Sequence, residues 1–239
     1  MENLGDVVTN WSGATSALPT ELSGTYVTLE RLRPDLHAAK LFEAFKDADQ
    51  NWAYMPYGPF HSSAQYYKWT TEVAAQTDPW FFALKDHASG KYLGVCSYLR
   101  IAPDMGTIEV GHINFSPALQ RSRAATEAMF LMMQWAFDNG YRRYEWKCHA
   151  LNMASRRAAE RFGFSYEGVF RQAAVVKGRN RDTAWFAMID SEWPALKEAF
   201  TSWLSPSNFD ADGNQKERLG NLTSLVRVAS DPALTSKTE

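Results

Sequence analysis

A turn of small and basic residues lies between the end of a strand and the start of an apolar helix, at residues 115–128. The first turn of a helix leaves backbone N–H groups unpaired at the positive end of the helix dipole, and such groups bind phosphate. Arg121 and Arg123 place two cations beside them. The pattern predicts an anion site, and the alternative is an ordinary helix start with both arginines in solvent.

Two polar residues open a later helix, which we predict at residues 152–162. Asn152 is a predicted N-cap, because its short amide can accept from an unpaired N–H group of the first turn. Ser155 shares helical spacing with an apolar stripe, formed by Leu151, Ala158, Ala159 and Phe162. Four charged residues are expected to point away from that stripe: Arg156, Arg157, Glu160 and Arg161. An inward hydroxyl needs a hydrogen-bond partner, and the backbone of its own helix is the ordinary one.

The predicted strand at residues 107–115 carries two titratable side chains on opposite faces. Alternation places Glu109 with Thr107, Gly111, Ile113 and Phe115, and places His112 with Ile108, Val110 and Asn114. A carboxylate inside a central strand is costly unless it is paired or its pKa is raised. A raised pKa would make Glu109 a usable general base, and the alternative is a salt bridge to a basic neighbour. His112 is the second candidate base, although a single strand histidine often only packs.

Periodicity predicts the elements that position these side chains. Alternation favours strands at residues 26–32, 80–84, 92–101, 107–115, 144–148, 164–176 and 183–190. Helical spacing favours helices from Pro34, from Ser62 or Ser63 to about Ala75, at residues 126–139 and 152–162, and from Glu192. Hairpins come first and strand–helix–strand alternation follows. This order predicts a mixed α/β fold, in which helices cover both faces of a mixed sheet.

Composition and charge exclude several classes of protein. The chain is 45% hydrophobic and 22% charged, as soluble globular proteins are, and its net charge of −2 argues against a nucleic-acid or anionic-membrane surface. It has no apolar run of about 18 residues and no secretion signal at its start. Cys96 and Cys148 both lie in apolar runs, which suit a reducing compartment. We therefore expect a cytoplasmic protein without nucleic-acid or membrane partners.

Several strong catalytic signatures are missing from the sequence. It contains no Walker A loop, no Gly-x-Gly-x-x-Gly after a strand, no Gly-x-Ser-x-Gly elbow and no zincin helix. The five histidines have no metal-ligand spacing and there is no Cys-x-x-Cys, so no metal site is expected. Residues 1–20 are expected to form a tail or arm and 21–204 the single domain. Residues 205–239 are expected to contain a loop and a short docking helix, with apolar residues at Leu219, Leu222, Leu225 and Val226.

The basic turn resembles the cofactor motif of the Gcn5-related N-acetyltransferases, and within them that of the ribosomal-protein acetyltransferase-like branch. That motif is Gln/Arg-x-x-Gly-x-Gly/Ala after a strand. Gln120-Arg121-Ser122-Arg123-Ala124-Ala125 matches its first and last places and has Arg123 at the central glycine. Further similar segments are Ile108 to His112, Asn152 to Ser155, Arg161 to Phe164, and Gly178 to Asp182 before Glu192-Trp193. The likeness runs from about Tyr26 to Leu204.

The resemblance implies a splayed central sheet and acetyl-coenzyme A as the acetyl donor. Pyrophosphate would meet backbone N–H groups of the turn, and pantetheine would lie as a pseudo-strand in a splay after Phe115. The implied cofactor-binding residues are Phe115, Gln120, Arg121, Ser122, Arg123, Ala124, Ala125, Thr126 and Asn152. At position 123, arginine would supply charge where glycine supplies room.

The resemblance also implies roles on the acceptor side. Ser155 would donate to the departing sulfur, and Glu109 would take a proton from the amine. The segment between the first two helices, residues 51–60, would wall the acceptor pocket with aromatic rings, or plug the core instead. Asp182 would hold a cationic group, although an Asp in a turn often serves only the turn. The implied substrate-binding residues are Trp52, Tyr54, Tyr57, His112 and Asp182.

We therefore expect an N-acetyltransferase that acts on a primary amine by direct attack in a ternary complex. An acyl-enzyme is not expected, because neither cysteine has a base partner in the sequence. A small amine is the favoured acceptor. The alternatives are a peptide N-terminus, as in a ribosomal-protein acetyltransferase, and a coenzyme A-binding interaction module without catalysis. A homodimer is compatible with the sequence.

Overall fold

The computed structural model describes residues 4–235, and within them eight strands form one sheet. The strands are β1 (Glu21–Ser23), β2 (Val27–Arg31), β3 (Trp80–Asp86), β4 (Tyr92–Ala102), β5 (Thr107–Phe115), β6 (Arg143–His149), β7 (Ser165–Val176) and β8 (Arg179–Ile189). Their order is β1-β2-β3-β4-β5-β6-β8-β7. Only the β5–β6 pair is parallel among these neighbours, so the sheet is mixed.

The helices connect and cover these strands. They are α1 (Pro34–Ala44), α2 (Ser63–Ala74), α3 (Arg123–Asp138), α4 (Met153–Arg161), α5 (Trp193–Leu204), and the short α6 (Leu219–Thr223) and α7 (Pro232–Thr235). The predicted N-cap at Asn152 is confirmed, because its side chain accepts a hydrogen bond from the Ser155 N–H. The predicted stop after α3 is confirmed at Gly140, which has a φ of 88°.

The two faces of the sheet bury separate cores. On one face Phe81, Ala83 and Val95 pack with residues of α1 and α2, and we call this the α1 face. On the opposite face Phe82, Leu84 and Cys96 pack with residues of α3, and we call this the α3 face. Since successive strand residues point to opposite faces, one strand supplies both cores. The predicted class, a mixed α/β fold with helices on both faces, is confirmed.

The sheet opens between β5 and β6. These parallel strands pair from Thr107 with Arg143 to Val110 with Trp146, and the pairing then ends. β5 continues to Phe115 and β6 to His149, each bonded only to its other neighbour. The facing backbone groups are left without a strand partner, and such groups need one from elsewhere. We call this gap the splay.

A bulge changes the direction of the side chains in β5. Gly111 pairs with Ser97, whereas Asn114 pairs with Val95, so two residues of β5 stand opposite one of β4. His112 has a φ of 50°, and its ring lies 4.9 Å from that of Phe81 on the α1 face. The predicted alternation is therefore wrong after Gly111, because the bulge brings His112 onto the face of Glu109. It also turns Ile113 and Phe115 toward the α3-face core.

The β7–β8 hairpin turns earlier than predicted. The turn residues are Lys177 and Gly178, with φ values of 49° and 72°, as a two-residue hairpin turn requires. Asp182 lies inside β8, and its Oδ1 accepts from the Gln172 N–H at 2.7 Å and from the Asn180 amide at 3.0 Å. These bonds, that to Gln172 first, lower the pKa of Asp182. The prediction that Asp182 sits in the turn is wrong, because its carboxylate fixes a bulge in β7.

The segment after α5 packs against α4. Asp231 is fully buried and accepts from Nε and Nη2 of Arg156, both at 2.5 Å, while Nη1 of Arg156 donates to the Ala150 carbonyl at 2.7 Å. Leu151 is 71% exposed. The expected orientations of Leu151 and Arg156 are therefore wrong, because a distant carboxylate allows the guanidinium to be buried. Of the expected apolar residues near the C-terminus, Leu219 is buried and Leu225 is exposed.

Candidate active site

The turn before α3 leaves backbone donors free. Ser122 caps the helix, because its Oγ accepts from the Ala125 N–H at 3.0 Å and donates to the Leu119 carbonyl at 2.6 Å. Arg121 adopts a left-handed conformation with a φ of 60°. Arg123 and Ala124 occupy the first helical positions, and their N–H groups find no acceptor within residues 4–235. Two free N–H groups at the positive end of a sixteen-residue helix suit an anionic group.

Gln120 binds the end of β5 instead of pointing outward. Its Nε2 donates to the Phe115 carbonyl at 2.9 Å and to Oδ1 of Asn51 at 3.3 Å. The Asn51 amide donates to the same carbonyl at 2.9 Å. Two side-chain amides thus connect the end of β5, the turn and the loop at residues 51–60. Asn51 begins the segment predicted to wall the acceptor pocket, but only the fold shows its contact with the end of β5.

Arg123 contacts the C-terminal segment. Its guanidinium carbon lies 4.0 Å from the centroid of the Phe209 ring and 5.5 Å from that of Tyr26. The side chain therefore packs on aromatic rings, while the backbone N–H of the same residue remains free at the start of α3. Thr126 is also internal, since it is 3% exposed and its hydroxyl donates to the Ser122 carbonyl.

Ser155 lies beside the splay at the start of α4. Its Oγ accepts from the indole N–H of Trp146 at 3.1 Å, so its own hydrogen remains available for donation. Oδ1 of Asn152 accepts from the Ser155 N–H at 3.1 Å, so the helix cap does not use the Asn152 NH₂ group. Cys148 lies nearby, and burial raises its pKa, with a partial offset from hydrogen bonding to Ser155. The thiol is therefore protonated near neutral pH.

Glu109 is buried and carries two ion pairs on one oxygen. Its Oε2 lies 2.7 Å from Nη1 of Arg100 and 2.8 Å from Nζ of Lys147. Lys147 also pairs with Glu145, which in turn pairs with Arg143. The salt bridge expected as the alternative for Glu109 is therefore present. Burial nevertheless raises the pKa of Glu109, while the two cations act in the opposite direction.

His112 packs between aromatic rings with its imidazole neutral. Its ring is stacked on that of Tyr57 at a centroid distance of 5.7 Å, and its Nδ1 lies 2.9 Å from the Tyr57 hydroxyl. Burial, assisted by the charges of Arg100 and Arg181, lowers the pKa of His112 to about 4. The imidazole is therefore uncharged at neutral pH and only weakly basic.

The aromatic loop at residues 51–60 divides into a buried and an exposed part. Trp52 is 2% exposed and packs edge-on against Phe45, Phe60 and Trp69, so it belongs to the α1-face core. Tyr54 is 40% exposed, and its hydroxyl donates to the Leu151 carbonyl at 3.1 Å. Trp52 therefore fits the alternative in which the loop plugs the core. Tyr54 lies at the surface instead and bonds to the segment before α4.

The hairpin tip reaches the same loop. Nζ of Lys177 donates to the Trp52 carbonyl at 3.0 Å. The distal part of the β7–β8 hairpin therefore spans the distance from the end of β6 to the aromatic loop. Lys177 was not among the predicted site residues, because the partner of this lysine lies 125 residues away.

The described chain offers neither a metal cluster nor a membrane span. Between residues 4 and 235, no three His, Cys, Asp or Glu side chains are grouped so as to hold a metal ion. Within the same part of the chain, none of the helices has the length and apolarity needed to cross a bilayer.

Comparison with known proteins identifies relatives. A family model described as an acetyltransferase (GNAT) domain matches residues 27–165. A GCN5-related N-acetyltransferase from Brucella melitensis is 48% identical over 91% of this chain and 100% of that chain, with a TM-score of 0.89. A probable GNAT-family acetyltransferase from Chromobacterium violaceum is 42% identical over 82% of this chain and 98% of that one, with a TM-score of 0.76.

A more distant structure shares the fold. It is the Microcin C7 self immunity acetyltransferase MccE in complex with acetyl-CoA and AMP, which is 21% identical over 70% of this chain and 93% of that chain, with a TM-score of 0.62. A comparison with curated proteins finds no match.

Proposed function

Since the chain belongs to the Gcn5-related N-acetyltransferase family, we propose that it transfers the acetyl group of acetyl-coenzyme A to a primary amine. The observation that carries this proposal is the splay, because unpaired strand backbone, a helix start with free N–H groups and a donor-ready serine all border one gap. MccE, which shares the fold, forms a complex with acetyl-CoA.

The residues present fit acetyl-coenzyme A. The N–H groups of Arg123 and Ala124 would hold its pyrophosphate, with the exposed Arg121 as an additional cation. The unpaired backbone of β5 after Val110 would pair with the pantetheine amides, and the NH₂ group of Asn152 would add a donor. When bound, this co-substrate supplies a thioester, whose acetyl group is open to attack by an amine.

Ser155 would protonate or stabilise the departing sulfur. Its oxygen accepts from the indole N–H of Trp146, so the hydroxyl hydrogen would be donated to the sulfur. Neither Cys96 nor Cys148 would form an acyl-enzyme, since burial raises the pKa of both thiols. Transfer would therefore be direct.

Glu109 would accept the proton of the amine, directly or through water. Its Oε1 carries neither ion pair, and its raised pKa makes it a stronger base than an exposed carboxylate. His112 is the weaker candidate, because its pKa of about 4 makes it a poor base and its Nδ1 is bonded to Tyr57. Replacing Glu109 by Gln should lower the rate and remove the acidic limb of the pH–rate profile.

The experiment measures binding and turnover separately. Acetyl-coenzyme A should raise the melting temperature of the protein by binding linkage. Arg121→Glu should weaken this effect, because it sets a carboxylate against phosphate. Arg157→Glu, the same charge reversal at an exposed position of α4, should not. An unchanged melting temperature of the wild type in saturating acetyl-coenzyme A would overturn the proposal.

Turnover is then measured as thiol release on a panel of small amines and peptides. We expect small amines to be acetylated. Acetylation of peptides alone would indicate a protein N-terminal acetyltransferase of the ribosomal-protein type. Binding without turnover on any acceptor would indicate a coenzyme A-binding interaction module.

A further inference from the structure

Arg181 belongs to the α1 face of β8. In the register of β6 with β8, Trp185 stands opposite Lys147 and Thr183 opposite His149. Nζ of Lys147 lies 3.8 Å from the centroid of the Trp185 ring, so both side chains share one face, which is also that of Glu109. Residues two apart on a strand point the same way, and Arg181 therefore projects on this face just beyond the end of β6.

Arg181 is a basic residue of this face without a carboxylate. Arg100 and Lys147 end on Glu109, and Arg143 ends on Glu145 and Glu167. The buried Nε of Arg181 has no hydrogen-bond partner within residues 4–235, and no salt bridge to it occurs there. A buried N–H group without an acceptor is costly, and an anion in contact with this half-buried side chain would supply one.

The surroundings of Arg181 place it at the acceptor side of the splay. The hairpin segment that carries it runs from Thr183, beside the end of β6, to Lys177, whose Nζ binds the Trp52 carbonyl. The charge of Arg181 lowers the pKa of both His112 and His149. His149 is in ring contact with Tyr54, at a centroid distance of 5.1 Å. Arg181 therefore lies on the hairpin segment between the end of β6 and the aromatic loop.

The neighbouring acids do not pair with Arg181. Glu109 attracts Arg181 but forms no ion pair with it within residues 4–235, and its ion pairs go to Arg100 and Lys147 instead. Asp182, the next residue along β8, points to the opposite face and holds the β7 bulge. The guanidinium therefore keeps its planar set of donors for a molecule from outside, and that geometry suits a carboxylate or a phosphate.

We propose that Arg181 binds an anionic group of the acceptor, so that the substrate is an amine that also carries a carboxylate or phosphate. This inference rests on the proposed function, since it concerns the acceptor of the same reaction. The amine would lie toward Glu109 and the anion toward Arg181. The acceptor would thereby be held at both ends over the splay.

The test compares acceptors that carry an anion with matched acceptors that lack it. KM is measured for L-tyrosine against L-tyrosinamide, and for O-phosphoethanolamine against ethanolamine, with the wild type, Arg181→Gln and Arg181→Lys. Loss of a charge-assisted hydrogen-bond pair should raise KM by roughly 10- to 100-fold. We expect the wild type to prefer the anionic member of one pair by such a factor, and Arg181→Gln to abolish the preference. Arg181→Lys should keep part of it.

The control is Arg171→Gln, the same substitution at an exposed position of the same hairpin, which should keep the preference. The pair that shows the preference distinguishes a carboxylate from a phosphate. Equal KM values for both members of both pairs in the wild type would overturn the proposal. So would an Arg181→Gln variant that retains the preference.

A binding measurement separates this proposal from the proposed function. Calorimetry of N-acetyl-L-tyrosine and N-acetyl-L-tyrosinamide, and of O-phosphoethanolamine and ethanolamine, needs no turnover. If no amine is acetylated but the wild type binds the anionic member of a pair and Arg181→Gln does not, the anion subsite stands and the acetyltransferase proposal falls. If neither anion binds more tightly than its neutral partner, the subsite falls whatever the protein acetylates.

Discussion

The turn before α3 and the α1 face of the splay differ in the groups that they present to the gap between β5 and β6. At the turn, the side chains of Gln120, Ser122 and Arg123 are engaged within the protein, and backbone N–H groups remain free. On the α1 face, charged side chains such as Glu109 and Arg181 border the gap. Backbone donors do not change with sequence, so the turn can carry Arg123 where the family has glycine. Side chains do change, so we expect the α1 face to determine which acceptor is used.

The largest expected effect distinguishes two serines that both lie at helix starts. Ser155→Ala should lower kcat by roughly 10²- to 10⁴-fold with little change in acetyl-coenzyme A affinity, because only the proton donor is lost. The matched variant Ser122→Ala should keep kcat and cost about 1 kcal/mol of stability, because it removes a cap. Steady-state kinetics and urea unfolding of both variants test this. Equal kcat values would remove Ser155 from the chemistry.

The next comparison separates the buried and exposed aromatic residues of the loop at 51–60. Trp52→Ala should reduce the free energy of unfolding by about 3–5 kcal/mol, because it leaves a cavity in the α1-face core. Tyr54→Ala, at a 40% exposed side chain, should leave stability nearly unchanged and raise KM for the amine. Denaturation and acceptor kinetics measure the two quantities. A stable Trp52→Ala protein with a raised KM would reverse these assignments.

Burial on the α1 face also predicts a pH dependence of stability. The pKa of His112 in the folded protein is about 4, below its ordinary value of about 6.5. Between these values the unfolded chain binds a proton that the folded protein does not, so stability falls as the pH decreases from about 6.5 to about 4. The wild type should lose roughly 2–3 kcal/mol more than His112→Phe between pH 7 and pH 4.5, by urea unfolding. Parallel losses in both proteins would contradict the burial of this imidazole.

The smallest effect tests the tolerance of the turn to sequence change. Arg123→Gln should reduce stability by about 0.5–1 kcal/mol, the magnitude of a cation–π contact that is not fully buried, and leave acetyl-coenzyme A affinity unchanged. A double-mutant cycle with Phe209→Leu isolates the contact. A loss of cofactor affinity with no coupling to Phe209 would show instead that the guanidinium acts on phosphate.

The sequence predicts the elements of this protein well where the determining chemistry is local. The bounds of the strand at Thr107–Phe115, the cap at Asn152 and the stop at Gly140 are confirmed, because strand-forming residues, capping and left-handed turns depend on residues a few positions apart. The mixed class of the fold follows from the order of those elements.

Only the tertiary structure determines which residues the candidate site contains and which way they point. A one-residue bulge moves His112 onto the face of Glu109, and no local pattern in the sequence announces it. Arg156 is buried because Asp231 lies against it, 75 residues away, and Lys177 reaches Trp52 across 125 residues. Arg181 differs from Arg156, since the fold places no carboxylate against it within residues 4–235. The physical cause is common to all of these: the energy of a buried charge depends on its partners in space, which sequence spacing does not specify.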